Sequence, residues 1–128
     1  MSEDAIRVLF VEDHQDTKIV LTLLLSQDGF AVDTAANCQE AILKAKSAEY
    51  DVFVLDINLP DGHGVDLCRD LKSVCPDLPV IYYSAQVFEN QINAALRQCG
   101  ECYLCKPLPV EVLEEHIRRL APSKRCGA

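Results

Sequence analysis

Five polar residues stand where apolar runs of this chain end. VLFVED closes on Glu12 and Asp13, VFVLD closes on Asp56, VIYYSA carries Ser84, and YLCK closes on Lys106. Three carboxylates pushed together repel one another and need a compensating cation. Their oxygens are hard donors, and no His or Cys stands at these run ends, so the ion they suit is magnesium rather than zinc. Magnesium typically takes one or two carboxylates, keeps several waters and contacts a phosphoryl oxygen. A lysine and a hydroxyl beside it complete a cradle for a phosphoryl group. An aspartate in that cradle can act as nucleophile and form an acyl phosphate, with metal and ammonium stabilising the transferred charge. Singly, Asp13 reads as a helix cap, Ser84 as a loop hydroxyl and Lys106 as a solvated charge. The combination at four run ends is what points to chemistry.

A second candidate lies at residues 99–107, CGECYLCKP, where Cys99, Cys102 and Cys105 look like part of an iron–sulfur or zinc site. A ferredoxin-like run requires C-x2-C-x2-C-x3-C-P. Here proline follows the third cysteine after one residue, the fourth cysteine is absent, and Cys126 is offered only by the tail. Cys102 and Cys105 lie three apart on one predicted strand and so point to opposite faces. Cys99 and Cys102 have C-x-x-C spacing but close a helix, whereas a redox pair normally opens one, where the dipole lowers the thiol pKa. A thiol-based redox or metal-binding protein using Cys99, Cys102 and Cys105 is the alternative reading from another class. His14 follows the acidic pair at a helix start, His63 sits in a turn and His116 lies on a helix. None has a partner at ligand spacing.

The elements that must position these residues alternate between two periods. Residues 6–13 form an apolar run ending in acids, as expected of a strand buried on both faces. Thr17 to Asp28 is leucine-rich and helical, stopped by Gly29. Residues 30–35 make a short strand. Asn37 and Glu40 form a capping box ahead of Ala41, Ile42, Ala45 and Ala48. Residues 50–56 are a third strand, LPDGHG is a turn cluster, and Leu67, Cys68, Leu71, Val74 and Cys75 mark a helix closed by Pro76. Residues 78–85 supply the fourth strand. Phe88, Ile92, Ala95, Leu96 and Cys99 mark a helix ended by Gly100, and residues 102–105 the fifth strand. Pro109 suits the first position of a last helix carrying Val110, Leu113, Ile117 and Leu120. Five strands alternating with five helices predict an α/β fold, one doubly wound parallel sheet with helices on both faces. With strand order 2-1-3-4-5, the order reverses between strands one and three. Such sheets bind ligands outside the carboxyl ends at that reversal, which places Glu12, Asp13 and Asp56 in one crevice.

Composition bounds what this site can serve. The chain has 128 residues, 49% hydrophobic and 25% charged, the balance of one soluble globular domain. We expect a single domain over 1–128, with a core over about 6–120 and a flexible tail at 121–128. No apolar run approaches the ~20 residues of a membrane span, and the acidic start lacks a signal-peptide pattern, so membrane insertion is not expected and a cytoplasmic place is. A formal net charge of −8 argues against direct nucleic-acid binding. Seven cysteines, an odd number without an export signal, read as reduced thiols.

With these motifs together, the sequence closely resembles the receiver domain of two-component response regulators, of the flavodoxin-like fold shared with chemotaxis regulators. The match runs over roughly residues 6–120 and rests on VEDH, VLDINLPDGHG, YYSA and YLCKP. The resemblance implies a phosphorylation switch in which Asp56 accepts a phosphoryl group from a histidine kinase or a histidine phosphotransfer protein. It implies magnesium, or manganese, held by Asp13 and Asp56, by the backbone carbonyl of Asn58, and by Glu12 through water. Lys106 pairs with the carboxylate and later the phosphoryl group, the Ser84 hydroxyl swings to a phosphoryl oxygen, and Tyr103 turns inward behind it. Pro107 falls where the family has a cis Lys–Pro bond, and Asn58 and Gln86 fall where it tunes hydrolysis. Glu101 departs from the small residue usual before the fifth strand. The downstream partner is expected on the face of the fourth helix, fifth strand and fifth helix, where a homodimer could also form. With no effector following the fifth helix, a receiver from a larger hybrid kinase, and so a tether to a sensor, is the expected setting.

Overall fold

A computed structural model describes residues 5–85 and 89–121. Its five main strands are β1 (Arg7–Val11), β2 (Ala31–Ala35), β3 (Val52–Leu55), β4 (Val80–Ala85) and β5 (Cys102–Lys106). They alternate with α1 (Gln15–Gln27), α2 (Cys38–Ser47), α3 (Gly64–Val74), α4 (Glu89–Gln98) and α5 (Val110–Leu120). All neighbouring strands of this sheet are parallel, and the assumed order holds: β2-β1-β3-β4-β5. A two-residue antiparallel ladder, Asn58–Leu59 against Gly62–His63, sits inside the turn cluster.

The period-two pleat divides the core. Leu9, Val11, Phe53 and Leu55 face a layer that includes Ala41 and Ala45 of α2, Leu67 and Leu71 of α3 and Ala95 of α4. Val8, Phe10, Val52 and Val54 face the opposite way, toward Leu21 and Leu25 of α1 and Leu113 and Ile117 of α5. Every residue of β3 is fully buried, which is why its sequence is apolar without alternation. Each such side chain contributes roughly 1.5–3 kcal/mol by leaving water, so the strand ends are fixed by the hydrophobic layers and not by the site.

Several boundaries move from their expected places, for local reasons. α1 begins at Gln15 because a ring nitrogen of His14 accepts from the Thr17 N–H at 3.4 Å. α3 begins at Gly64 because His63 caps it, accepting from Val65 N–H at 3.1 Å. Pro109 is the residue before α5 rather than its first turn, since its ψ of 142° is extended. Asn37 caps α2 as expected, but Glu40 reaches back to the N–H of Ala36 instead of that of Asn37. Gly29, at φ 94°, ends α1 in a conformation that disfavours any side chain. The Lys106–Pro107 bond is cis.

One expectation fails. Cys68 and Cys99 are joined in a disulfide, so the seven cysteines are not uniformly thiols. Their separation of 31 residues hid the pairing, which only the packing of α4 beside α3 creates. Cys38, Cys102 and Cys105 are free. Gln86, Phe88, Cys126 and the tail beyond residue 121 lie outside the described residues. No described helix is long and apolar enough to cross a membrane.

Candidate functional site

The site begins in the sheet register. Just past β1, the Glu12 N–H donates to the Ala35 carbonyl at 2.9 Å, and just past β3 the Asp56 N–H donates to the Val11 carbonyl at 3.0 Å. These bonds extend the ladders by one residue and hold the two acids side by side at the carboxyl edge. β5 ends one residue deeper, with Lys106 paired to Ala85 and Cys105 to Ser84, so the lysine and the hydroxyl reach the same edge from the other side.

One oxygen each of Glu12, Asp13 and Asp56 lies within 4.8 Å of the others, the sole group of metal-binding type among the described residues. Glu12 is buried, at 1% exposure, and Asp13 is exposed. The Ser84 hydroxyl donates to Asp56 Oδ1 at 2.6 Å, and the Asn58 N–H reaches the same oxygen at 3.2 Å. Lys106 Nζ donates to Asp56 Oδ2 at 3.4 Å and more closely to Glu12 Oε1. The other Glu12 oxygen accepts from the His14 N–H at 3.2 Å. The Lys106 ammonium also lies 5.4 Å from the centroid of the Tyr83 ring.

Electrostatics separates the two central acids. Burial pushes the Glu12 carboxyl up, and the Lys106 ammonium and His14 N–H only partly offset it. Burial acts on Asp56 as well, but the Ser84 hydroxyl, Lys106 and the Asn58 N–H outweigh it and hold that carboxyl below its ordinary range. Lys106 is raised, burial being outweighed by Glu12 and Asp56. Asp56 is therefore ionised at neutral pH, the state a carboxylate nucleophile needs. A buried Glu12 beside an exposed Asp13 also gains from any further positive charge. An all-oxygen donor set of this charge fits a hard divalent cation of the magnesium type.

The loop after Asp56 is braced at three points. A Cβ on Gly64 would come 2.6 Å from the Asp56 carbonyl oxygen, so a side chain there would push the loop off the site. The Gly64 N–H donates to the Ile57 carbonyl at 2.6 Å. Asp61 caps α2 from this loop, accepting from Cys38 N–H at 2.7 Å and Gln39 N–H at 3.1 Å, and these bonds lower its carboxyl. The Ser84 oxygen in turn accepts from the Ile57 N–H at 3.4 Å.

The expected phosphoacceptor, metal and switch residues gather at this edge, Glu12, Asp13, Asp56, Asn58, Ser84, Tyr103 and Lys106, whereas Gln86 lies outside the described residues. Two differ in detail. Lys106 sits closer to Glu12 than to Asp56, because Glu12 is the more deeply buried charge. Tyr103 is already inward, lining a cavity of about 250 Å³ with Ile57, Asn58, His63, Gln91 and Ala95. Sequence reading missed Asp61, which has no local signal for capping a helix 23 residues earlier. It also missed Glu101, which accepts from the Val80 N–H at 2.8 Å and pairs with Lys72 at 2.7 Å.

The cysteine alternative finds no support. Cys99 is bonded to Cys68, burial raises the Cys102 thiol, and Cys102 Sγ lies 3.7 Å from His116 Nδ1 rather than near Cys105.

Comparison with known proteins converges on one family. The model described as "Response regulator receiver domain" matches residues 8–118. The KDP operon transcriptional regulatory protein KdpE of Escherichia coli K12 is 37% identical over 111 residues, covering 87% of this chain and 49% of that protein. The chain thus spans about half the length of such curated relatives. A two-component response regulator from Clostridium difficile superposes with a TM-score of 0.84 at 32% identity, covering 90% of this chain and 94% of that one. Response regulator TrrA of Thermotoga maritima, solved in complex with Mg(2+)-BeF, gives a TM-score of 0.81 at 26% identity, covering 90% and 98%.

Proposed function

This chain belongs to the response regulator receiver domain family, and we propose that Asp56 is its phosphoacceptor, esterified by transfer from a phosphohistidine. The observation that carries this reading is the ionised Asp56 carboxylate, held on one oxygen by Ser84 and on the other by Lys106, with oxygens of Glu12 and Asp13 alongside. The transfer forms an O–P bond from an Asp56 carboxylate oxygen as the N–P bond of the donor breaks, the imidazole leaving with its electron pair. Lys106 neutralises charge on the transferred group as it moves, and its flexible stem lets it shift from Glu12 toward the phosphoryl oxygens. Magnesium or manganese, held by Asp13, Asp56, the Asn58 carbonyl and, through water, Glu12, would supply neutralisation of the acids and a contact to a phosphoryl oxygen.

The switch follows from the hydrogen bonds the transfer disturbs. A phosphoryl group adds up to about two negative charges and three strong acceptors. Ser84 now donates to Asp56, so it can redirect that donation to a phosphoryl oxygen. Tyr103, lining the cavity beside α4, follows. Its movement alters the α4–β5–α5 face, where a downstream partner or a second copy docks. The donor is a histidine kinase or histidine phosphotransfer protein, and the setting is cytoplasmic, as a separate receiver or as part of a sensor kinase. The whole of residues 1–128 serves this one domain.

The test is labelling of the purified chain by a small acyl phosphate, with magnesium and with chelator, for the parent and for Asp56→Asn. We expect magnesium-dependent labelling of the parent and a loss of at least about 100-fold in the variant. Equal labelling of the variant at another residue would overturn the assignment.

A further inference from the structure

The Cys68–Cys99 pair takes no part in the chemistry at the carboxyl edge, and its position gives it a different use. Cys68 is on the inner face of α3 and fully buried, whereas Cys99, one residue past α4, is half-buried. Their Cα atoms are 6.2 Å apart, within the range a disulfide spans. Cys99 is therefore the more accessible residue of the two and Cys68 the one held inside, the order expected of an attacking and a resolving cysteine.

The same joint is held by polar contacts that owe nothing to the sulfurs. Arg69 of α3 donates to Gln98, Lys72 pairs with Glu101 at 2.7 Å, and the Tyr82 hydroxyl donates to the Cys99 carbonyl at 2.9 Å. These contacts hold the residues around Cys99 near α3 and β4 alongside the disulfide. α4 itself is thinly anchored: of its ten residues, only Ala95 is buried. A covalent tie at its C-terminal end is then a large part of what holds it. Further along, Gln91 and Ala95 of the same helix line the cavity into which Tyr103 turns.

We propose that Cys68 and Cys99 form a thiol-oxidation site, taking a small disulfide such as oxidised glutathione as oxidant, whose cross-linked form fastens α4 to α3. The Cys99 thiolate attacks one sulfur of the oxidant, breaking its S–S bond and releasing one glutathione thiol. The deprotonated Cys68 sulfur then attacks Cys99, forming the intramolecular bond and releasing the second. Two electrons and two protons pass from the protein to the oxidant. Reduction removes this covalent tie from the C-terminal end of α4, leaving the weaker polar contacts to hold it, without touching Glu12, Asp13, Asp56, Ser84 or Lys106. That the fastened helix belongs to an output face rests on the receiver reading; that the bond forms and stiffens α4 does not.

The experiment equilibrates the full chain in glutathione buffers from fully reducing to fully oxidising. Blocked and free thiols are mapped by peptide mass spectrometry, and amide hydrogen exchange is followed in α4 and, as an internal control, in β1 and β3. The expected result is a Cys68–Cys99 peptide that appears with rising oxidised glutathione, with α4 amides exchanging at least about tenfold more slowly in that form. The β1 and β3 amides should be unchanged. Cys99→Ser, altered at the less buried position, should exchange like the reduced parent in every buffer. Free, alkylatable Cys68 and Cys99 at all ratios would overturn the site, and a cross-link that leaves α4 exchange unaltered would overturn its effect. Magnesium-dependent labelling run on both forms keeps the two readings apart: no labelling in either form removes the receiver chemistry and leaves the exchange result standing.

Discussion

Glu12 and Glu114 are the same side chain at nearly the same depth, 1% and 4% exposed, at different places in one domain. Glu12, at the carboxyl edge of β1, has an ammonium on one oxygen and a backbone N–H on the other. Glu114, midway along α5, has one oxygen with no hydrogen-bond partner among the described residues, and its near neighbour, just past the end of α1, is another acid, Asp28. Burial raises both carboxyls. For Glu114, Asp28 adds to that and Arg118 offsets only part, so it is pushed up to about 7. Depth alone does not make a functional carboxylate. The partners decide whether a buried acid keeps a charge that can draw in a cation or keeps a proton instead.

The strongest way to break this contrast is to make Glu12 resemble Glu114. Lys106→Met removes the ammonium and leaves Glu12 buried without its cation. Urea unfolding in chelator should show a loss of about 3 kcal/mol, as expected when one partner of a buried pair is removed. Labelling by the acyl phosphate should fall by about 100-fold. An unchanged midpoint would mean the pair contributes little to the fold.

The next test runs the other way. An acid whose folded pKa is raised binds more protons folded than unfolded, so its contribution is fully present below its ordinary value of 4.5 and is lost as pH rises through about 7. Glu114→Gln removes that slope. Its stability should match the parent's near pH 4 and exceed it at pH 8 by about 1–2 kcal/mol, measured by denaturant titration at both values. A variant that is less stable at pH 8 would show that the Glu114 charge has a partner.

The smallest effect sharpens the comparison at the first site. Magnesium at tenfold over its dissociation constant should stabilise the parent by about 1.4 kcal/mol through mass action. Asp13→Asn should lose most of that gain, and Glu114→Gln should keep it, in thermal unfolding with and without the ion. Equal stabilisation of all three proteins would place the ion elsewhere.

Much of this could be read in the sequence because burial and chemistry are arranged along the same periods. β3 is apolar at every position since both its faces are covered, and the first polar residue after it, Asp56, must be at an edge. The same logic located Glu12, Ser84 and Lys106. What escaped was set by contacts between residues distant in the chain. Asp61 caps α2 across 23 residues, and Glu101, which looked like a departure at the surface, satisfies the Val80 N–H at the start of β4. Cys68 and Cys99 meet because α4 packs beside α3, which no spacing rule encodes. Glu114 reads in sequence as one more acid among EVLEEH. Its burial depends on how α5 is rotated against α1.

The most direct test asks which carboxylate receives the phosphoryl group. After treatment with magnesium and the acyl phosphate, borohydride reduction converts an aspartyl phosphate to homoserine, and peptide sequencing by mass spectrometry finds where. The expected result is homoserine at position 56, dependent on magnesium and absent from Lys106→Met beyond a trace. Homoserine at position 13 or at any other aspartate, with position 56 unmodified, would contradict it.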